Sequence, residues 1–127
     1  MSNSARRARL LIVDDEIMFH KALRRTLGAE YEVSVATSAR EALEAIARES
    51  FDVMLSDLMM PEMNGMELYD EIVRLAPALA RRVIFLSGGA FTEGSRAFLE
   101  RIENPVLDKP FQLAVLKSTL AAVIARG

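Results

Sequence analysis

Cysteine is absent from this chain of 127 residues. Its absence removes disulfides, thiolate metal sites and a cysteine nucleophile, and suits a reducing, cytoplasmic setting. Histidine occurs once, at His20. A charge excess is missing too: 16 basic against 18 acidic residues give a formal net charge of -2. That balance makes no electrostatic case for nucleic acid or for contact with an anionic membrane. No apolar run approaches the roughly 20 residues needed to span a bilayer. The stretch from Met1 to Arg9 is polar and basic, with no long apolar segment behind it, so it does not read as a secretory signal. Residues 1–8 are expected to form a flexible lead-in, left by excision from a longer chain. There is no phosphate-cradling GxxxxGK[ST] loop, no internal repeat and no low-complexity linker.

What is present is apolar. Hydrophobic residues make up 51%, which excludes a disordered chain. The length suits one domain that buries about two thirds of its unfolded surface. The central stretch is Phe51 to Asp57, a short apolar run ending on an acid. Leu10–Val13 likewise runs into Asp14, Asp15 and Glu16, and Arg82–Leu86 into Ser87, while Val106-Leu-Asp-Lys109-Pro110 reads as a short fifth strand. Continuous apolar runs of this length fit strands buried on both faces. Tyr31–Val35 alternates apolar and polar, as an edge strand does. Helical periodicity lies between the runs: Phe19, Leu23 and Leu27, with a stop at Gly28; Ala39 to Ala47; Leu68, Tyr69, Ile72 and Leu75, ended near Pro77; Phe91 to Ile102, less regular at Gly94; and Leu113, Leu116, Leu120 and Ile124. Ser38 and Glu41 form a capping-box pair. His20, inside the first helix, is expected at the surface. Met59, Met60 and Met63 are expected to be core and loop filler.

Five strands alternating with five helices predict an α/β domain with a doubly wound, parallel, five-stranded sheet. The order 2-1-3-4-5, that of flavodoxin-like folds, puts the Tyr31 strand at an edge and the ends of strands one and three side by side. Asp14, Asp15, Asp57, Ser87 and Lys109 then gather at the carboxyl edge. Each has an ordinary alternative: Asp57 a turn, Asp14 and Asp15 an N-cap, Ser87 the Gly88-Gly89 turn, Lys109 a solvated position. The convergence favours a site. Two unit charges about 4 Å apart interact by about 4 kcal/mol at an effective dielectric of about 20, so clustered carboxylates need a cation. An all-oxygen donor set favours Mg²⁺ over Zn²⁺. Such a site suits phosphoryl transfer with Asp57 as nucleophile.

Taken together, Leu11-Ile-Val-Asp-Asp15, Asp57 with Met60-Pro61 and Gly65, Leu86-Ser87-Gly88 and Lys109-Pro110-Phe111 resemble the receiver domain of two-component response regulators, over roughly residues 8 to 126. The resemblance implies a receiver domain over residues 9–127 that takes a phosphoryl group from a histidine kinase or phosphotransfer protein. It makes Asp57 the phosphoacceptor and gives Asp14, Asp15, Asp57 and the Met59 backbone carbonyl to Mg²⁺. Ser87 becomes the hydroxyl that turns toward the phosphoryl group and Lys109 its ammonium partner, aimed by a cis bond to Pro110. Gly88 would keep the site open. The resemblance also implies a phosphoprotein that promotes its own phosphorylation and slow dephosphorylation without being an enzyme in its own right, and that can form a homodimer once phosphorylated. One position departs from it. Three residues before the lysine the family often carries a Tyr or Phe as a rotamer switch, and here stands Val106. The Ser87 loop and the fourth helix are expected to move instead. Receivers fused to sensor kinases often relax this position, which points to a domain from a hybrid sensor histidine kinase.

Two rivals remain. A metal-dependent phosphatase with an Asp nucleophile usually carries a second Asp two residues on, where this chain has Met59. A degenerate receiver, acting only as a protein-interaction module, needs loss of the acids or the lysine, and all are present. Neither Met59 nor Gly89 offers an acid or amide to orient a hydrolytic water, so phospho-Asp57 is expected to outlast seconds.

Overall fold

The computed structural model describes residues 7–59, 64–88 and 93–126. Met60, Pro61, Met63, Gly89, Phe91 and Gly127, which enter the sequence expectations, lie outside these residues, as does most of the proposed lead-in. The elements run β1 (Ala8–Val13), α1 (Ile17–Leu27), β2 (Tyr31–Ala36), α2 (Ala39–Arg48), β3 (Val53–Asp57), α3 (Gly65–Leu75), α4 (Pro77–Ala80), β4 (Val83–Ser87), α5 (Glu93–Arg101), β5 (Val106–Asp108) and α6 (Leu113–Arg126).

The sheet is parallel in the order β2-β1-β3-β4-β5, as expected from the run of apolar strands. Alternate strand residues feed two cores. Leu11, Val13, Met54, Val83 and Phe85 face Ala39, Ala42, Leu68, Ile72 and Phe98 of α2, α3 and α5. Leu10, Ile12, Val53, Leu55, Ile84 and Leu86 face Leu23, Leu27, Leu116, Leu120 and Val123 of α1 and α6. Both faces are therefore covered, which is why β3 and β4 are buried at every residue. β2 and β5 are the edges, and both are wetter.

Several local expectations need correction. Among the described residues there are six helices, not five: Pro77 ends α3 and also occupies the first turn of the four-residue α4. β5 stops at Asp108, so Lys109 and Pro110 lie just beyond the strand. His20 is buried, not at the surface: the inward stripe of α1 is His20, Leu23 and Leu27, and Phe19 is only half-buried beside it. Leu75 and Leu113 are exposed, and Val123 takes a core place on α6. At α2, Ser38 Oγ accepts from the Glu41 N–H at 3.2 Å, but the Glu41 carboxylate accepts from Thr37 N–H and Oγ1, so only half of the Ser38–Glu41 box forms. The complete box sits at α3, where Asn64 accepts from the backbone of Met66 and Glu67 and Glu67 accepts from Asn64 N–H.

Tyr69, Phe85 and Phe98 meet edge to face, with centroids 5.3 to 5.6 Å apart. Val106 pairs with Phe85 across β4 and β5 and packs against the same core, so aromatic bulk here comes from α3, β4 and α5. Asn104 ties the group down. Its amide donates to the carbonyls of Ala80 and Val83, each at 2.8 Å, and its oxygen accepts from the Tyr69 hydroxyl at 3.3 Å. Asn104→Ala is expected to cost about 2 kcal/mol by stripping these groups of partners. Urea unfolding checks it: the midpoint falls while the slope stays unchanged.

Candidate functional site

The strand ends build the site. β1 runs in register with β3, pairing Val13 with Ser56, so Asp14 emerges beside Asp57. β3 pairs with β4, Asp57 opposite Leu86, and Ser87 follows one residue further out. β4 pairs Ser87 with Asp108, and the Lys109 N–H donates to the Ser87 carbonyl at 2.7 Å. The Lys109–Pro110 peptide is cis. Beyond β3, Leu58 is tethered on both sides: its N–H donates to the Leu86 carbonyl and its carbonyl accepts from Gly65 N–H.

Carboxylate oxygens of Asp14, Asp15 and Asp57 all lie within 4.8 Å of one another. Asp14 is fully buried, Asp57 nearly so, and Asp15 is exposed. Asp14 uses one oxygen to accept from Glu16 N–H at 2.8 Å, a turn that leads into α1. Its other oxygen accepts from Lys109 Nζ at 2.9 Å. The alternative left open for Asp14 was an N-cap; the cap position of α1 is Glu16, with no side-chain cap, and Asp14 holds only the turn before it. Lys109 Nζ also lies 3.8 Å from Asp57 and 3.5 Å from Glu16. Met59 N–H donates to Asp57 Oδ1 at 3.2 Å. Ser87 is buried. Gly88 faces open space: an added Cβ would meet nothing within 4 Å.

The charges follow from this geometry. Burial pushes the Asp57 carboxyl up from 3.8 to about 6; Lys109 and the Met59 N–H pull it back, and Asp14 and Asp15 push it further up. Burial alone would lower the Lys109 ammonium, but the hydrogen bond to Asp14 and the charges of Asp57, Asp14 and Glu16 outweigh it, so its value rises. The pocket thus holds a carboxylate that is costly to ionise, next to a permanent cation. Three converging carboxylates with no nitrogen or sulfur donor among them form a set that fits a hard, oxygen-loving divalent ion.

The model of the response regulator receiver domain matches residues 10–121. The chain belongs to that family. Its sequence is 33% identical to the sensor histidine kinase RcsC of Salmonella typhimurium over 92% of this chain and 12% of that protein. It is also 33% identical to the transcriptional regulatory protein ZraR of Escherichia coli, over 91% of this chain and 26% of that protein. Among solved structures, the Vibrio cholerae chemotaxis protein CheY4 superposes with a TM-score of 0.80 at 30% identity, covering 93% of this chain and 99% of the other. The receiver spans only a small part of RcsC and ZraR, so the activities of such longer proteins are theirs. What this chain shares with them is the receiver domain of two-component signalling.

The structure brings together every candidate that the sequence singled out: Asp14, Asp15, Asp57, Ser87, Lys109 and Met59. Two neighbours of Lys109 were missed. Glu16 appeared only as a third acid after the pair, and Phe19 only as a member of a helical stripe.

Proposed function

We propose that this receiver accepts a phosphoryl group on Asp57 in Mg²⁺-dependent phosphorelay signalling. The observation that carries the proposal is the placing of Lys109 Nζ against both Asp14 and Asp57, at the rim of a three-carboxylate cluster. Asp14, Asp15, Asp57 and the Met59 carbonyl would hold the ion. When bound, it offsets the negative charge of the carboxylates and of an incoming phosphoryl group.

The protein's own groups do the rest. An Asp57 oxygen attacks the phosphorus of a phosphohistidine. The O–P bond forms as the N–P bond breaks, and the departing imidazole takes a proton from solvent. Lys109 pairs with a phosphoryl oxygen, and the Ser87 hydroxyl turns toward another. Catalysis here is mostly positioning and charge neutralisation. The domain promotes this step and the slow hydrolysis of its acyl phosphate by water, which releases inorganic phosphate, and is not an enzyme for other substrates. Ile17, Met18 and Met59 flank the acids along the chain and are 56%, 77% and 47% exposed. Such an apolar rim suits docking of a cytoplasmic histidine kinase or phosphotransfer protein. Movement of Ser87 and Lys109 toward the phosphoryl group would bias the surface formed by α5, β5 and α6, and with it dimerisation. Val106 leaves α5 and the Ser87 loop as the moving parts. The domain boundaries of 9–127 and an origin in a hybrid kinase belong to the same proposal.

Incubation with acetyl phosphate and Mg²⁺ tests it. A mass gain of one phosphoryl group is expected, abolished in Asp57→Ala and without added Mg²⁺. A gain that persists in Asp57→Ala, or no gain at all, would falsify the assignment and leave an interaction module.

A further inference from the structure

Lys109 is held by more than its carboxylates. Its ammonium lies 4.4 Å from the centroid of the Phe19 ring. Phe111, two residues after Lys109, meets Phe19 edge to face at 6.0 Å with an interplanar angle of 80°. The side chain of Lys109 is 20% exposed. The amine therefore has Asp14 at 2.9 Å, Glu16 at 3.5 Å and Asp57 at 3.8 Å on its charged side and a ring face on another. A lysine on a flexible four-carbon stem ordinarily loses much rotamer freedom when it must reach one oxygen. A ring face attracts the ammonium through its quadrupole and excludes the water that would otherwise draw it outward. The edge-to-face contact with Phe111 in turn fixes the tilt of Phe19.

We infer that Phe19 is a positioning residue for phosphoryl transfer: its ring holds the Lys109 ammonium in the gap between Asp14 and Asp57, aimed where the phosphoryl oxygens arrive. The inference rests on Asp57 being the phosphoacceptor. Phe19 acts through the lysine. Its other role is packing, since it also lies against the core shared by α1 and α6. Phe19→Leu keeps the apolar bulk and removes the quadrupole. Phe19→Tyr keeps the ring.

The test is the rate of phosphorylation by acetyl phosphate in saturating Mg²⁺, in the wild type, both single variants, Lys109→Met and the double variant Phe19→Leu/Lys109→Met. Phe19→Leu is expected to slow the reaction about five- to tenfold, the size of a partly desolvated cation–π contact. Phe19→Tyr is expected to restore it to within about twofold. In the Lys109→Met background Phe19→Leu should change nothing further, because the two residues act as one unit. Proton NMR reads the contact directly: the Lys109 ε-methylene resonance, shifted by the ring, moves to its ordinary position in Phe19→Leu. Equal rates for Leu and wild type, a Tyr variant as slow as Leu, an undiminished Leu effect without the lysine, or an unshifted methylene each overturn the inference while phosphorylation of the wild type still stands. A wild type that takes no phosphoryl group overturns the functional reading and this inference with it.

Discussion

Gly65→Ala is expected to destabilise the receiver by about 3 kcal/mol, the upper range for overpacking a filled site. A Cβ at Gly65 would overlap the carbonyl oxygen of Asp57 and lie 3.0 Å from the Leu58 Cα. Both obstacles are backbone, so no rotamer change relieves them. The backbone cannot give way easily either. Gly65 N–H donates to the Leu58 carbonyl at 2.9 Å, Leu58 N–H donates to the Leu86 carbonyl, and Asn64 caps α3 one residue earlier. In an exposed helix the same exchange would stabilise by about 1 kcal/mol, which makes the sign itself diagnostic. The clash falls on Asp57, the proposed acceptor and metal ligand, so under that proposal Mg²⁺ binding should weaken along with stability. Gly88→Ala is the control, because nothing lies within 4 Å of its added Cβ. Urea midpoints of the two variants and a Mg²⁺ titration decide the matter. A Gly65→Ala protein as stable as Gly88→Ala would show that α3 is not seated against the end of β3 as described.

Gly65 illustrates how far the residues alone could lead. Asn64-Gly65 has the composition of a turn, which does not reveal that the glycine also admits the end of β3. The strand order was legible because three runs are apolar at every position and one alternates, which puts the alternating strand at an edge. Once the order is known, the acids and the lysine converge without further information. The errors came where one signal served two outcomes. Pro77 ends one helix and starts another, and a four-residue helix carries no periodicity. His20 hid the true inward stripe of α1, because a polar residue beside Phe19 looks like the wet side of the helix. Glu41 had two possible partners, and its carboxylate accepts from both the N–H and the hydroxyl of Thr37, while the Ser38 hydroxyl is engaged in accepting from the Glu41 N–H. The Phe19–Lys109 contact joins the first helix to the last strand end and has no local pattern at all. Its one hint was Phe111, which the motif carried without a stated role.

Asp57→Asn should make the Mg²⁺-free receiver more stable at neutral pH, by about 1–2 kcal/mol. Burial lifts the Asp57 carboxyl from 3.8 to about 6, so the folded chain resists ionising this group while the unfolded chain does not. The penalty is absent below the unfolded value, grows as pH rises between the two, and is complete above about 6. Wild-type stability from this group therefore falls with rising pH, opposite to a salt-bridged acid. Full conversion of the shift gives about 3 kcal/mol, and water reaching the pocket beside exposed Asp15 reduces it. Asparagine keeps an oxygen for the Met59 N–H and removes the charge that Asp14 and Asp15 oppose. The loss of attraction to Lys109, at 3.8 Å, is the smaller effect because the net shift is upward. The stability difference between variant and wild type should be near zero at about pH 4 and reach its plateau above about pH 6.5. If Mg²⁺ occupies the proposed site, saturating Mg²⁺ should reverse its sign, since an ion held by the folded wild type stabilises it by mass action and the variant offers one carboxylate fewer. Urea unfolding of both proteins across this range, with and without Mg²⁺, is the measurement. A difference that stays constant with pH would mean that the Asp57 carboxylate is well solvated, and a Mg²⁺ effect equal in both proteins would place the ion away from Asp57.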